Sequence, residues 1–234
     1  MSPHVRDELY ARGVTDEQID TFRIGYLNRN LPELAGADDF LRWSHQGQRL
    51  DDVFVFPLTN PLNTVCGFQF RHVQRDRKGY LDYIPYKEEP VLFGLGQAAP
   101  HVWATDSVWL VEGVFDLLPL QRHVPNIVAT LTAKVPASLM PFLRRLVRRV
   151  WVGYDSDAAG QSAARQFTRE FGREFDIRSV YYPKVPGLDG VSRTVKDPGE
   201  LWEAWGDEQV GSFLQTVLRS VPDGVFDGKD IQRS

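Results

Sequence analysis

From residue 107 to residue 182, short β-branched and aromatic runs alternate with helical patterns, and this alternation limits the fold more than any other feature. Strands are expected at 107–111, 126–130, 149–154 and 178–182, and helices at 113–122, 136–147 and 158–171. Repeated strand–helix units imply a parallel sheet with helices on both faces, an α/β architecture. Open sheets of this kind build their ligand sites at the carboxyl ends of the strands. Glu112 and Asp116 follow the first strand, and Asp155 and Asp157 follow the third. Asp197 follows a Gly/Pro-containing loop at 183–196 and precedes short helices expected at 201–205 and 207–218.

Oxygen ligands gathered at a sheet edge suit a hard divalent cation, Mg²⁺ or Mn²⁺. Gly113, directly after Glu112, leaves room for a phosphate or metal to approach the backbone. Asp116 lies one helical turn beyond Glu112, so both can face one opening. Asp155 and Asp157 flank Ser156, and alternate residues of an extended stretch point the same way. The helix opening at Ala158-Ala159-Gly160 offers free N–H groups to an anion. An Asp at a helix start is also a common N-cap, and that reading stays open for Asp157. An unpaired Glu at the end of a buried strand is costly, which favours a functional Glu112. The pattern predicts metal-dependent phosphoryl or nucleotidyl chemistry.

The first hundred residues read differently. Strands at 53–58 and 64–70, joined by the turn formers of 59–63, form a hairpin. A helical stretch at 5–22 breaks near Gly13, and Thr15-Asp16-Glu17-Gln18 has the form of a capping box. Residues 28–39 read as loop and 71–90 as irregular. Residues 71–78 hold Arg71, His72, Arg75, Arg77 and Lys78 against the single acid Asp76, on a chain of net charge −4. A local basic strip on an acidic protein still attracts a phosphate backbone. Arg144, Arg145, Arg148 and Arg149 read instead as the wet side of an apolar helical stripe. The single cysteine, Cys66, excludes a disulfide framework and a cysteine-rich zinc site, and is expected to be a buried thiol. No signal peptide and no apolar run long enough to span a membrane is seen, so a cytoplasmic location is expected.

At the acidic motifs the chain resembles the Toprim domain, a catalytic fold shared by bacterial-type DNA primases, topoisomerases and some nucleases. Residues 108–116, with Glu112-Gly113 and Asp116, and residues 150–160, with Asp155-Ser156-Asp157-Ala158-Ala159-Gly160, match its two signatures. Asp197-Pro198 resembles the third acidic element of primases, with Gly199 where the family carries another acid and Glu200 one residue later. Upstream, Arg12-Gly13-Val14-Thr15, Phe22 to Tyr26, Val55-Phe56-Pro57-Leu58, Gly67-Phe68 through Arg71 and Tyr80-Leu81-Asp82 resemble the N-terminal subdomain of the bacterial primase polymerase core, and Leu92-Phe93-Gly94-Leu95 resembles its entry into the Toprim half. Gly79 stands where the family has lysine, with Lys78 adjacent.

The resemblance implies a primase-like, basic N-terminal subdomain at 1–105, a Rossmann-like Toprim domain at 106–205, and a C-terminal helix and tail at 206–234. It implies a DNA-dependent RNA primase core that makes short primers by two-metal nucleotidyl transfer. Glu112, Asp155, Asp157 and Asp197 would hold Mg²⁺ or Mn²⁺, with Glu112, Asp116, Asp155 and Asp157 catalytic. Arg71, Arg75, Arg77, Lys78, Tyr80 and Lys134 would contact template, primer or nucleotide. The implied partners are a single-stranded DNA template and nucleoside triphosphates. The sequence shows neither the zinc-binding nor the helicase-interacting domain of such primases, so it reads either as a core cut from a longer protein or as a compact phage- or plasmid-type primase, whose further partners would be a replicative helicase and a zinc-binding module on separate chains. Two alternatives stay open: a Toprim nuclease, and a non-catalytic primase-derived module that binds nucleic acid or helicase.

Overall fold

The structure, a computed structural model, describes residues 1–28, 50–75, 79–85, 90–132, 134–186 and 191–219. The loop expected after Asn28, Arg77, Lys78 and the last dozen residues lie outside the described residues. Two short helices open the chain, α1 (Pro3–Tyr10) and α2 (Asp16–Thr21). The capping box forms at Thr15: its hydroxyl accepts the Gln18 N–H at 3.2 Å, and Gln18 Oε1 accepts the Thr15 N–H at 3.1 Å.

An antiparallel sheet follows in the order β1 (Gly25–Leu27), β2 (Val53–Thr59), β3 (Val65–His72), β4 (Tyr80–Tyr83). The hairpin between β2 and β3 was legible from its turn residues. β4 was not, because its four residues lack a run of strand formers and are ordered by pairing with β3, Arg71 opposite Tyr80. A helix absent from the sequence reading, α3 (Leu95–Thr105), starts directly after Gly94. Gly94 takes φ +82°, and a Cβ there would lie 2.8 Å from Leu117 Cδ1, so conformation and space both require glycine. Pro100 inside α3 hides a buried stripe of Leu95, Ala98, Ala99 and Val102.

The second sheet is wholly parallel, in the order β6 (Ile127–Ala129), β5 (Ser107–Val111), β7 (Arg149–Val152), β8 (Asp176–Ser179). Its connections run through α4 (Val114–Gln121), α5 (Met140–Leu146, entered by a 3₁₀ turn at Ala137–Leu139) and α6 (Ala158–Phe171). Alternation along the strands separates two cores. Val108, Leu110, Val128, Val150 and Val152 face α3, α5 and α6. Trp109, Val111, Ile127, Ala129 and Trp151 face α4 and the elements packed beyond it. Strand β8 starts two residues before its expected position, because Asp176 pairs with Arg149. The expected loop at 183–196 contains a small hairpin, β9 (Lys184–Pro186) with β10 (Ser192–Thr194). The two short helices expected at its end run together as α7 (Pro198–Arg219), bent at Gly206.

The chain passes between the sheets at Leu92-Phe93. Leu92 exchanges backbone hydrogen bonds with Thr59 of β2, and the Phe93 carbonyl accepts the Ala129 N–H of β6. Phe54, Phe56 and Phe93 share one core with Trp109, Leu117 and Trp151. The antiparallel sheet is thereby held beside the carboxyl ends of the parallel strands. Cys66 is half-buried rather than the buried thiol expected. Among the described residues, no helix is long and apolar enough to cross a membrane.

Candidate active site

Three acids distant in sequence converge where β5 and β7 end. Asp116, Asp155 and Asp197 each offer one carboxylate oxygen, and these atoms all lie within 4.8 Å of one another. The backbone fixes them in turn. Asp116 Oδ2 accepts the Gly113 N–H at 2.7 Å, so α4 begins with its third residue reaching back to the strand end. Asp197 Oδ1 accepts the Glu200 N–H at 2.8 Å at the start of α7. Glu112 stands beside the trio, and its Oε1 accepts the Asp155 N–H at 3.1 Å. A cluster of this kind suits a divalent metal ion.

Asp157 has a different placement. Its Oδ1 accepts the N–H groups of Ala159 and Gly160 at 3.0 and 2.9 Å, which makes it the N-cap of α6. The structure brings Glu112, Asp116, Asp155 and Asp197 around one cavity and leaves Asp157 at its margin.

The acid wall is crowded with negative charge. Burial pushes the Asp116 carboxyl well above its ordinary range, and the neighbouring Asp197 and Asp155 add to the shift. Burial likewise raises Asp197 and Glu112, with Asp155 contributing to both. Among the described residues one cation answers this wall closely: Lys196 Nζ sits 2.8 Å from Asp155 Oδ2 and 3.9 Å from Asp157 Oδ2. Its hydrogen bond to Asp155 raises the ammonium pKa. Beneath the site the buried Tyr182 hydroxyl donates to the Gly153 carbonyl at 2.6 Å, tying the end of β7 to the segment that leads to Asp197.

Across a cavity of about 550 Å³ stands a wall of opposite sign. Arg71 and Gln69 come from β3, Tyr80 from β4, Arg75 from the segment after β3, and Arg12 from the turn after α1. The Arg12 guanidinium lies 4.3 Å from the Phe115 ring centroid, and that of Arg71 lies 5.6 Å from Phe115 and 5.9 Å from Tyr80. Burial lowers the Arg12 pKa to about 10, with the positive charges of Arg75 and Arg71 adding to the effect. Arg12 Nε and Gln69 Oε1 are buried without a hydrogen-bond partner. Arg75 pairs with Glu203 and donates to the Ala11 carbonyl. Leu131, at φ +64°, and Thr132 form the rim after β6. Strained backbone of this kind tends to cluster at functional sites.

Of the residues expected to contact nucleic acid, Arg71, Arg75 and Tyr80 therefore line the cavity. Lys134 does not, and lines a smaller cavity with Tyr154 and Phe167. Arg12, Gln69, Phe115 and Lys196 escaped the sequence reading as site residues. Only Lys196 carried a local signal, its position next to Asp197. The others are brought in by pairing and packing across long sequence separations.

Comparison with known proteins matches this picture. Residues 109–191 match the family model described as Toprim-like. A DNA primase of Aquifex aeolicus is 28% identical over 222 residues, which cover 82% of this chain and 45% of that protein. The E. coli primase catalytic core is 26% identical, with a TM-score of 0.65 over 94% of this chain and 79% of its own. A DnaG primase catalytic domain solved bound to single-stranded DNA superposes with a TM-score of 0.71 at 22% identity, over 92% of this chain and 74% of that one. The chain spans less than half the length of the first curated relatives it matches, from 36% to 45%. With its acids at the ends of β5 and β7, the chain matches the Toprim-like model over residues 109–191 and has the fold of the bacterial DnaG-type primase catalytic core.

Proposed function

We propose that this chain is the catalytic core of a DNA-dependent RNA primase, joining ribonucleotides into short primers on a single-stranded DNA template. One observation carries the reading. An anion-crowded wall and a cation-crowded wall face each other across a single cavity. A nucleoside triphosphate with its divalent ions satisfies both, since the ions answer the acids and the phosphates answer the arginines. The similarity to DNA primases, and to a primase domain that binds single-stranded DNA, supports the same reading.

The residues divide the work by position. Asp116, Asp155 and Asp197 would hold Mg²⁺ or Mn²⁺ through their oxygens, and Glu112 orients Asp155 through its backbone N–H. Ions held there would supply Lewis-acid activation of a 3′-hydroxyl and charge neutralisation for departing pyrophosphate. Arg71 and Arg12 offer planar, always-charged donors to phosphate oxygens. Tyr80, partly exposed on β4, offers a ring face to a template base. In this reading Asp157 keeps its capping role and shapes the α6 N-terminus. A replicative helicase and a zinc-binding module remain proposed partners, to be sought by co-purification.

The test is template-directed synthesis from the four ribonucleoside triphosphates on a single-stranded DNA library. Asp155→Asn should abolish synthesis while circular dichroism stays unchanged. Undiminished synthesis by that variant overturns the assignment. Shortening of a labelled strand without nucleotides would transfer the site to nuclease chemistry.

A further inference from the structure

The opposite edge of the parallel sheet carries a second basic feature that this catalytic reading does not use. A shallow depression of about 420 Å³ is lined by Trp103 of α3, Asp106, Arg144 and Arg145 of α5, and Arg148. It lies at the amino ends of β5 and β7, whereas the acids lie at their carboxyl ends. Six residue steps of extended chain from Asp106 to Glu112 separate the two by roughly 20 Å. Trp103 is 53% exposed, the largest side chain among the exposed hydrophobics of the described residues. An indole held out in water beside arginines is an unusual use of a residue that normally buries its apolar surface.

The arginines here are not all committed to neighbours. Arg144 is paired with Glu174 through two hydrogen bonds, and Arg149 with Asp176. Arg145 has no ion pair among the described residues. Arg148 has an 89% exposed side chain and approaches Asp106 only to 3.9 Å. The scaffold beneath is fixed by backbone, since the Asp106 carbonyl accepts the N–H groups of both Arg148 and Arg149. Asp106 itself adopts a left-handed conformation, φ 48°. Two available cations and an open aromatic face are thus presented from a rigid sheet edge.

We infer that Trp103, Arg145 and Arg148 form a second binding surface for single-stranded nucleic acid, distinct from the acid-lined cavity. A base stacks on the Trp103 indole while flanking phosphates meet the two arginines. Single strands are favoured over duplex because stacking on a side chain needs an exposed base face. The surface contains no residue of the acid-lined cavity, and only the length dependence of its binding rests on that cavity holding the first part of the strand. It would hold a strand reaching around the sheet from that cavity.

The experiment is fluorescence anisotropy with labelled oligothymidylates from about 6 to about 30 nucleotides, spanning the site sizes seen for such grooves. Trp103→Ala should weaken the long strand about 5- to 150-fold, the effect of removing one stacked base, and leave the shortest strand unchanged. Arg145→Glu with Arg148→Glu should lower the salt slope for the long strand by about 1.4, two phosphates' worth on single-stranded nucleic acid. Photocrosslinking of an iodouracil-containing strand to the unaltered chain, mapped by mass spectrometry, should mark Trp103, and it decides the matter even if a variant misfolds. Unchanged long-strand affinity and salt slope in folded variants overturn the inference, as do crosslinks confined to the acid-lined cavity. An acidic peptide as the true occupant would appear as that same unchanged strand binding.

Discussion

Gly160→Ala is the sharpest test of how the acid wall is built. Gly160 is the third residue of α6, and a Cβ there would lie 2.7 Å from Glu112 Oε1 and 2.9 Å from the Asp155 nitrogen, closer still to the Asp155 carbonyl oxygen. In an open helix position this substitution stabilises by about 1 kcal/mol, because alanine loses less backbone freedom. Here the added methyl meets backbone, which cannot rotate away. Overpacking of this kind costs about 1–3 kcal/mol. The shift also breaks the hydrogen bond from the Asp155 N–H to the Glu112 carboxylate, which stabilises by about 1.5–3 kcal/mol as a bond to a charged group. The net expectation is destabilisation by roughly 1.5–5 kcal/mol, or a fall in Tm of at least about 3 °C for a chain of this size. Chemical denaturation gives the stability, and terbium luminescence gives the affinity of the acids for a metal ion. Both should fall, the second because Asp155 is displaced from Asp116 and Asp197. A variant more stable than the parent, with unaltered ion affinity, would refute this account of the strand-to-helix turn.

Three other outcomes are expected. Asp157→Ala should lose about 1 kcal/mol as a missing N-cap yet keep its divalent-ion affinity, whereas Asp155→Asn should lose the affinity; calorimetry with Mn²⁺ separates them. Because burial and like charge raise Asp116, Asp197 and Glu112 above ordinary carboxylates, the folded chain binds their protons more tightly than the unfolded chain. The metal-free protein should therefore lose stability as pH rises from the ordinary carboxylate range near about 4 through the raised values, and added divalent ion should offset that loss; Tm against pH, with and without Mn²⁺, reads both. Pyrophosphate and Mn²⁺ should each tighten the other's binding by about 5- to 150-fold after correction for their complex in solution, and independent binding would contradict the facing-wall arrangement.

Much of the parallel sheet was visible in the chain itself, because β5, β6 and β7 are nearly continuous apolar runs and each helix carries its own stripe. The Glu112-Gly113 and Asp155-Ser156-Asp157 turns could be placed for the same reason: local pattern puts them at strand ends. What escaped reading depends on distant partners. β4 exists through its pairing with Arg71 and its neighbours, and α3 conceals its stripe behind Pro100 and Gly96. The distinction between Asp155 and Asp157 turned on helix capping, a local rule that applies equally to a ligand and to a cap. Arg12 could be read as part of a motif but not as a wall of the cavity. Its place there follows from packing against Phe115, a hundred residues away in sequence.

The two walls explain each other. Raised carboxylates and a lowered arginine are both unfavourable states, and each would relax if the walls simply met in ion pairs. They are kept apart by elements with separate supports: α4, β7 and α7 hold the acids, while β3 and the turn after α1 hold the arginines. Arg71 spends its cation face on Phe115 and Tyr80, and among the described residues Lys196 pairs with Asp155 and Asp157. A cation alone would relieve one wall and leave Arg12 crowded by Arg71 and Arg75. A phosphate alone would relieve the arginines while adding negative charge opposite Asp116 and Asp197. Only a ligand that brings both signs at once removes both penalties, and a polyphosphate carrying divalent ions is the common biological ligand of that description.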